Sequence, residues 1–238
     1  MSPGELVVVG VAVALAAMLQ GSIGFGMGMI AAPVVALVQP TLLPATLVLL
    51  AAVVTTLTLV TDRQHVDLRG TGWALTGRVP GSVAGAAVVA LAPDRVLALL
   101  VAAVVLAGTV ITGLGWRPEP TKGALLTAGA ASGLFGTATS IGGPPMALVW
   151  QGHHGARLRG TMSAFFLVGS AVSVATLAVA GAVDAEIMRA VVLLLPMPVV
   201  GFVLSRGLNR VLDPVRQRRV AIAVSVVGAV LLIGQQVL

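Results

Sequence analysis

Between Glu5 and Asp62 the chain reads LVVVGVAVALAAMLQGSIGFGMGMIAAPVVALVQPTLLPATLVLLAAVVTTLTLVT (residues 6–61), which is 56 residues without an Asp, Glu, Lys or Arg. A helix needs about 20 mostly apolar residues to cross the hydrocarbon core of a bilayer. This one stretch is therefore long enough for more than one membrane segment. Further charge-free runs cover 123–156, 160–183, 190–205 and 220–238. The 238 residues are 58% hydrophobic and 9% charged, with a mean hydropathy of +1.06. Soluble domains carry about 25% charged residues, so this chain cannot cover a water-facing surface. A transmembrane barrel is excluded as well, because its segments alternate polar and apolar over about ten residues. The fold class is an all-α polytopic membrane protein, and its first partner is the lipid bilayer. The net charge of +6 sits in short clusters beside apolar segments, without a basic stripe or interleaved aromatics. It reads as membrane orientation, with no nucleic acid bound. The start Met1-Ser2-Pro3-Gly4-Glu5 lacks the positive region of a cleaved signal peptide, so the first apolar segment is expected to stay. Without cysteine there is no disulfide, thiolate nucleophile or thiolate metal site.

Eight apolar segments follow, near 6–38, 43–61, 70–92, 96–115, 123–150, 160–181, 187–205 and 219–236. No linker is long enough to separate a second domain, so 1–238 forms a single transmembrane domain. Segments one and five exceed the length of one span, and glycines interrupt both. Gly21, Gly24, Gly26 and Gly28 lie in the first, ahead of Pro33. Gly133, Gly136, Gly142 and Gly143 lie in the fifth, ahead of Pro144 and Pro145. Such clusters signal broken backbone. The halves 1–115 and 116–238 read as a repeat. An offset of 112 pairs Gly21 with Gly133, Gly24 with Gly136 and Pro33 with Pro145. Offsets of 115 and 116 then pair Thr55 with Ser170, Thr58 with Ser173, Pro80 with Pro196 and Gly85 with Gly201.

Basic residues choose the topology. If all eight segments cross, the two faces hold eight and six of the 14 Lys and Arg residues. If segments one and five instead re-enter as hairpins of two short helices, only Arg95 and Arg189 lie opposite the other twelve. The second arrangement satisfies the positive-inside rule. Each half then crosses three times, so the halves are inverted repeats of about four helical segments each, with broken or re-entrant first and fifth segments. The 61–69, 116–122, 151–159 and 206–219 loops are expected on the cytoplasmic side.

Backbone that leaves a helix inside the bilayer must be satisfied by protein or by an enclosed cavity. Paired broken segments in inverted halves point to a central transport site. The expected lining is Gln20, Gly21, Ser22, Gly24, Phe25, Gly26, Gly28 and Pro33 from the first half. From the second come Gly133, Gly136, Thr137, Thr139, Ser140, Gly142, Gly143, Pro144 and Pro145. The two prolines suit a helix start, which Thr139 or Ser140 could cap. Free N–H groups at such a start hold anions. The glycines could equally pack helices, with Gly24 and Gly28 in a small-xxx-small pattern, and the Thr/Ser rows lean toward packing. Arg78 follows Arg69 by nine residues, about 13 Å along a helix. It either pairs with substrate inside the bilayer or snorkels from a helix end.

The paired motifs Gly21-Ser22-Ile23-Gly24-Phe25-Gly26…Pro33 and Gly133-Leu134-Phe135-Gly136…Gly142-Gly143-Pro144-Pro145 resemble the sulfite exporter TauE/SafE family of bacterial membrane proteins. The resemblance spans essentially the whole chain. It implies export of a small anion, such as sulfite, sulfoacetate or another organosulfur or organic anion, across the cell (inner) membrane. The first half departs from the glycine-rich form, with Met27, Met29 and Ile30 where the second has Thr139, Ile141 and Gly142. The function expected is therefore secondary transport of a small anionic substrate. The alternatives are a passive anion channel and a non-transporting membrane scaffold. A homo-oligomer is left open. No cofactor or metal is expected, because His153-His154 sits in a short polar loop without a third ligand. No catalytic motif is present, so the chain is not read as an enzyme. Asp62 and Asp184 are weak candidates for proton coupling.

Overall fold

The computed structural model describes residues 1–113 and 118–211, with isolated positions between 223 and 234. Most of the expected eighth segment, and the basic cluster Arg216, Arg218 and Arg219, lie outside the described residues. Among those described, every regular element is a helix and none is a strand. In chain order they are α1 (Pro3–Ile23), α2 (Met27–Val38), α3 (Ala45–Asp62), α4 (Leu68–Leu91) and α5 (Asp94–Gly113). After these come α6 (Lys122–Thr139), α7 (Gly143–Val149), α8 (Gly155–Val179), α9 (Ala185–Leu194) and α10 (Pro196–Val211). Five helical stretches are long and apolar enough to cross a membrane: Pro3–Ile23, Ala45–His65, Leu68–Leu91, Gly155–Val179 and Ala185–Gly207. The last is α9 running into α10, with the junction at Pro196, where proline supplies no N–H to continue the ladder.

Polar caps mark the helix starts. Ser2 and Glu5 form a capping box on α1, and the side chains of Asp67, Thr121 and Asp184 accept first-turn N–H groups of α4, α6 and α9. Segments one and five are each broken, as expected, but not into two short helices. The first arms are full length, with 21 residues in α1 and 18 in α6, about 31 and 27 Å at helical rise. Only the second arms, α2 and α7, are short.

Glycine decides which helices touch. On α4, Gly77, Gly81 and Gly85 recur every four residues, and a Cβ on any of them would strike a carbonyl of α6, from Leu126, Ala130 or Leu134. Gly129 and Gly133 of α6 press back on the Ala74 and Arg78 carbonyls. This is close backbone packing by small residues, the usual solution where lipid gives no hydrophobic drive. The α1 and α10 pair is built the same way, with Gly201 against the Ala14 carbonyl and Gly21 against Ser205. Gly21 and Gly133 are therefore packing residues.

One end of the bundle gathers loops from both halves. Arg159 Nε donates to Asp62 Oδ2 at 2.8 Å, Arg206 donates to Thr61 Oγ1 at 2.6 Å, and the Asp67 N–H donates to Thr161 Oγ1 at 3.0 Å. The 61–67, 153–161 and 206 regions thus share a face. Asp62 is consumed by this ion pair.

Candidate functional site

The first break is made by two glycines. Gly24 ends α1 at φ 91° with its N–H on the Gln20 carbonyl at 2.7 Å, and Gly26 follows at φ 125°. An L side chain is strained at either angle. Gln20 bridges the gap. Its Oε1 accepts the Met27 N–H at 3.2 Å, the first of α2, and its Nε2 donates to the Ala51 carbonyl of α3 at 3.3 Å.

The second break is made differently. Ser140 ends α6 at φ 64°, the one non-glycine with positive φ among the described residues, and its N–H bonds the Gly136 carbonyl at 3.0 Å. Its hydroxyl donates to the Pro44 carbonyl just before α3, at 2.9 Å. Ser132 spans this break by donating to the Gly142 carbonyl at 2.7 Å. Neither expected cap of α7 forms. Thr139 Oγ1 accepts the Ile141 N–H and donates to Phe135, Ser140 is turned to Pro44, and the N-cap of α7 is Gly142 with no side-chain bond. A cap must precede the first helical residue, and α7 starts at Gly143, beyond the reach of Thr139 and Ser140.

The two breaks meet. A Cβ on Gly28 would run into the Ser140 carbonyl, and one on Gly143 would lie 2.7 Å from the Phe25 ring. Gly24 and Gly28 flank the break rather than sharing a helix face, so the small-xxx-small reading does not apply to them. Between the breaks lies a cavity of about 40 Å³, where a single water needs about 10–15 Å³ on the same measure. Of the residues expected from sequence, Gln20, Phe25, Gly26, Gly28, Arg78, Gly136, Ser140, Gly142 and Gly143 line it. The chain also places Met27, Met29, Val48, Ala51, Ile141, Phe166 and Ser170 there.

Arg78 is the charge in this wall. It sits mid-way along α4 and is 3% exposed, so it does not snorkel. Nη1 donates to Ser132 Oγ at 2.9 Å, and Nη2 reaches Ser173 Oγ at 3.5 Å. Ser173 in turn shares a 2.7 Å bond with Thr137. The guanidinium lies 4.9 Å from the Phe165 ring centre and 5.6 Å from that of Phe166, favourable for a cation over aromatic faces. Its Nε–H has no partner among the described residues. Gly169 makes the room, since a Cβ there would overlap the guanidinium itself. Ser132, Phe165, Gly169 and Ser173 escape a sequence reading of the breaks. Ser173 shows in the sequence only as the repeat partner of Thr58, and Ser132 only as the residue before Gly133.

The remaining expected residues stay outside the cavity wall. Ser22 bonds back to the Met18 carbonyl, Pro33 is buried inside α2, and Gly24 abuts Arg159 and Met162. Pro144 and Pro145 face the other way, into an apolar cavity of about 610 Å³ between α5, α6 and α7. Of the Thr/Ser rows, Thr55 and Thr58 bond within α3 as packing predicts, but Ser170 and Ser173 belong to the Arg78 surroundings. His153 lies 4.0 Å from Asp67, and burial, helped by the positive charge of Arg157, pushes its pKa down. The described residues hold no cluster of three or more metal-ligating side chains.

A family model described as "Sulfite exporter TauE/SafE" matches residues 9–232. No curated protein and no solved structure matches the chain.

Proposed function

The chain belongs to the sulfite exporter TauE/SafE family, whose description makes it a multi-pass membrane transporter for a sulfite-type anion, and we propose that it is a secondary exporter of sulfite or a closely related small anion across the cytoplasmic (inner) membrane. One observation carries the reading. A cation buried in the middle of an apolar helix, held over two aromatic rings and by two hydroxyls, lines the cavity where both broken segments meet. Intramembrane charge is costly and marks the path of a substrate or ion. An anion in the cavity would satisfy Arg78 and exploit the close approach that Gly136, Gly142 and Gly143 permit.

Inverted repeats are supported by two packing pairs. The α1–α10 and α4–α6 contacts are alike, each joining a broken segment's first arm to the third segment of the other half. Likewise Ser140 touches Pro44 at the start of α3, while Gly24 touches Arg159 near the start of α8. Under such a repeat the halves would hinge at their breaks and expose the cavity alternately.

The test is flux of radiolabelled sulfite in proteoliposomes, with and without a pH gradient. Saturable flux that Arg78→Gln abolishes or shifts to higher KM is the expected result. Flux that never saturates would indicate a channel, and unchanged kinetics in Arg78→Gln would remove the arginine from the site.

A further inference from the structure

We propose that the cavity selects its substrate by charge, accepting a small monovalent anion (hydrogensulfite rather than the sulfite dianion) and rejecting divalent ones. This rests on the reading of the cavity as the transport site. Selection follows from a count of charges around a small cavity. Among the described residues lining the cavity Arg78 alone is ionisable, and the others are glycine, apolar side chains, Gln20, Ser140 and Ser170. The count holds for every element packed around it. Residues 6–61 supply all of α2 and nearly all of α1 and α3 without one titratable group; the exceptions, Glu5 and Asp62, stand at the outer ends of α1 and α3. Within α6 and α7 there is none after Lys122, and within α8 none after Arg159. On α4 the nearest other charge is Arg69, nine residues away. Arg159, at the edge, is already paired with Asp62.

A monovalent anion in this cavity is neutralised by one guanidinium. A dianion leaves a full negative charge buried and unpaired, and such a charge is strongly disfavoured where water is excluded. The other donors do not make up the difference. The Gln20 amide is bound to Ala51, the Met27 N–H is taken by Gln20, the Ser140 hydroxyl is spent on Pro44, and the Ser170 hydroxyl is a neutral donor that supplies no second charge. Size acts in the same direction. About 40 Å³ between Phe25 and Phe166 suits a compact oxyanion more than one carrying an acetate arm.

Sulfate and methanesulfonate test this directly, because they are both tetrahedral and nearly equal in size but differ by one charge. Each would compete with labelled sulfite in wild-type proteoliposomes held at equal pH on both sides, in exchange mode. Methanesulfonate should inhibit, and sulfate should compete at least about tenfold less well. Sulfate competing as well as methanesulfonate would overturn the proposal. In a second arm, sulfite exchange at constant total concentration should fall as pH rises through the hydrogensulfite–sulfite equilibrium. Exchange that rises over that range would overturn it equally, and this arm decides alone if neither tetrahedral anion competes. Ser170→Lys adds a second cation to the wall and should bring sulfate inhibition up toward that of methanesulfonate. Absence of any sulfite flux in wild type would instead defeat the underlying transport reading, so the two failures are distinguishable.

Discussion

Gly169→Ala is the smallest change that should disable the site. The added methyl would occupy the position of the Arg78 guanidinium, so the arginine must leave its berth. Leaving breaks the 2.9 Å bond to Ser132 and moves the cation off the Phe165 face, 4.9 Å away. A hydrogen bond to a charged group contributes about 1.5–3 kcal/mol, and a desolvated cation–π contact about 2 kcal/mol. Those contacts hold the guanidinium in place; what the anion itself loses is one charged hydrogen bond, about 1.5–3 kcal/mol, so at about 1.4 kcal/mol per factor of ten apparent substrate affinity should weaken by roughly 10–100-fold. The assay is sulfite flux against concentration, normalised to folded protein by size-exclusion profile. Arg78→Ala and the double variant complete a cycle. If Gly169 acts only by giving room to Arg78, the methyl costs little once the long side chain is gone, and the two effects are far from additive. Wild-type KM and rate in Gly169→Ala, or strict additivity in the cycle, would refute the geometry on which the site is built.

Four further outcomes follow. Gly142→Leu and Gly143→Leu should stop transport, since a Cβ at 142 would lie 2.8 Å from the Ser132 carbonyl and one at 143 2.7 Å from the Phe25 ring, both at the cavity wall; flux of the folded variants at the wild-type rate would remove both glycines from the site. Asp62→Asn breaks a largely buried ion pair with Arg159 and should lower the melting temperature, with a cost below the roughly 3–5 kcal/mol of a fully buried pair; an unchanged melting curve would show the pair to be idle. Single cysteines at 93 and 184 should react with an impermeant reagent from outside intact cells and those at 64 and 154 should not, and the opposite pattern would invert the topology. His153 titrates below the ordinary imidazole range because burial opposes its charge, so the folded state binds its proton less well than the unfolded one. Stability should therefore fall as pH drops through that range, and the fall should be smaller in His153→Gln.

The membrane class was legible because it depends on composition summed over long runs, where single residues cannot mislead. The positions of the breaks were legible for a related reason. Glycine and proline act on backbone conformation locally, and clusters such as Gly24-Phe25-Gly26 announce themselves. What the sequence hides is which glycine faces a ligand and which faces a helix. Gly133 and Gly136 are one turn apart on α6, yet a Cβ on the first would strike the Arg78 carbonyl, whereas one on the second would lie 3.4 Å from Arg78 Nη2. The difference is set by the rotation of α6 against α4, a tertiary quantity. The same holds for Arg78, whose mid-helix place could be counted but whose partners Ser132, Phe165 and Ser173 come from two other helices.

The register of the two halves shows why glycine matching has a blind spot. Aligning glycines pairs Gly24 with Gly136, an offset of 112. In the structure Gly24 is the left-handed residue that ends α1, and the residue in that conformation at the end of α6 is Ser140, 116 positions on. The N-caps Gly26 and Gly142 and the helix starts Met27 and Gly143 keep the same spacing, which also pairs Pro80 with Pro196. Gly136 therefore stands one helical turn inside α6, where its missing side chain serves the cavity rather than the break. Serine can hold the left-handed position because the tertiary bond from its hydroxyl to Pro44 offsets a strain of roughly 1–3 kcal/mol. That bond ties the second break to the first residues of α3, whereas Gly24 makes its turn without any side-chain tether. If the halves rock against one another, the two breaks are thus unequal hinges, one free and one latched. Ser140→Gly removes the latch and keeps the backbone angle accessible. It should change the maximal rate of sulfite exchange while leaving the apparent affinity, set by Arg78, at the wild-type value, because the bond removed runs to Pro44 and not to the substrate. A large loss of affinity with unchanged maximal rate would mean instead that the Ser140 hydroxyl turns to the substrate.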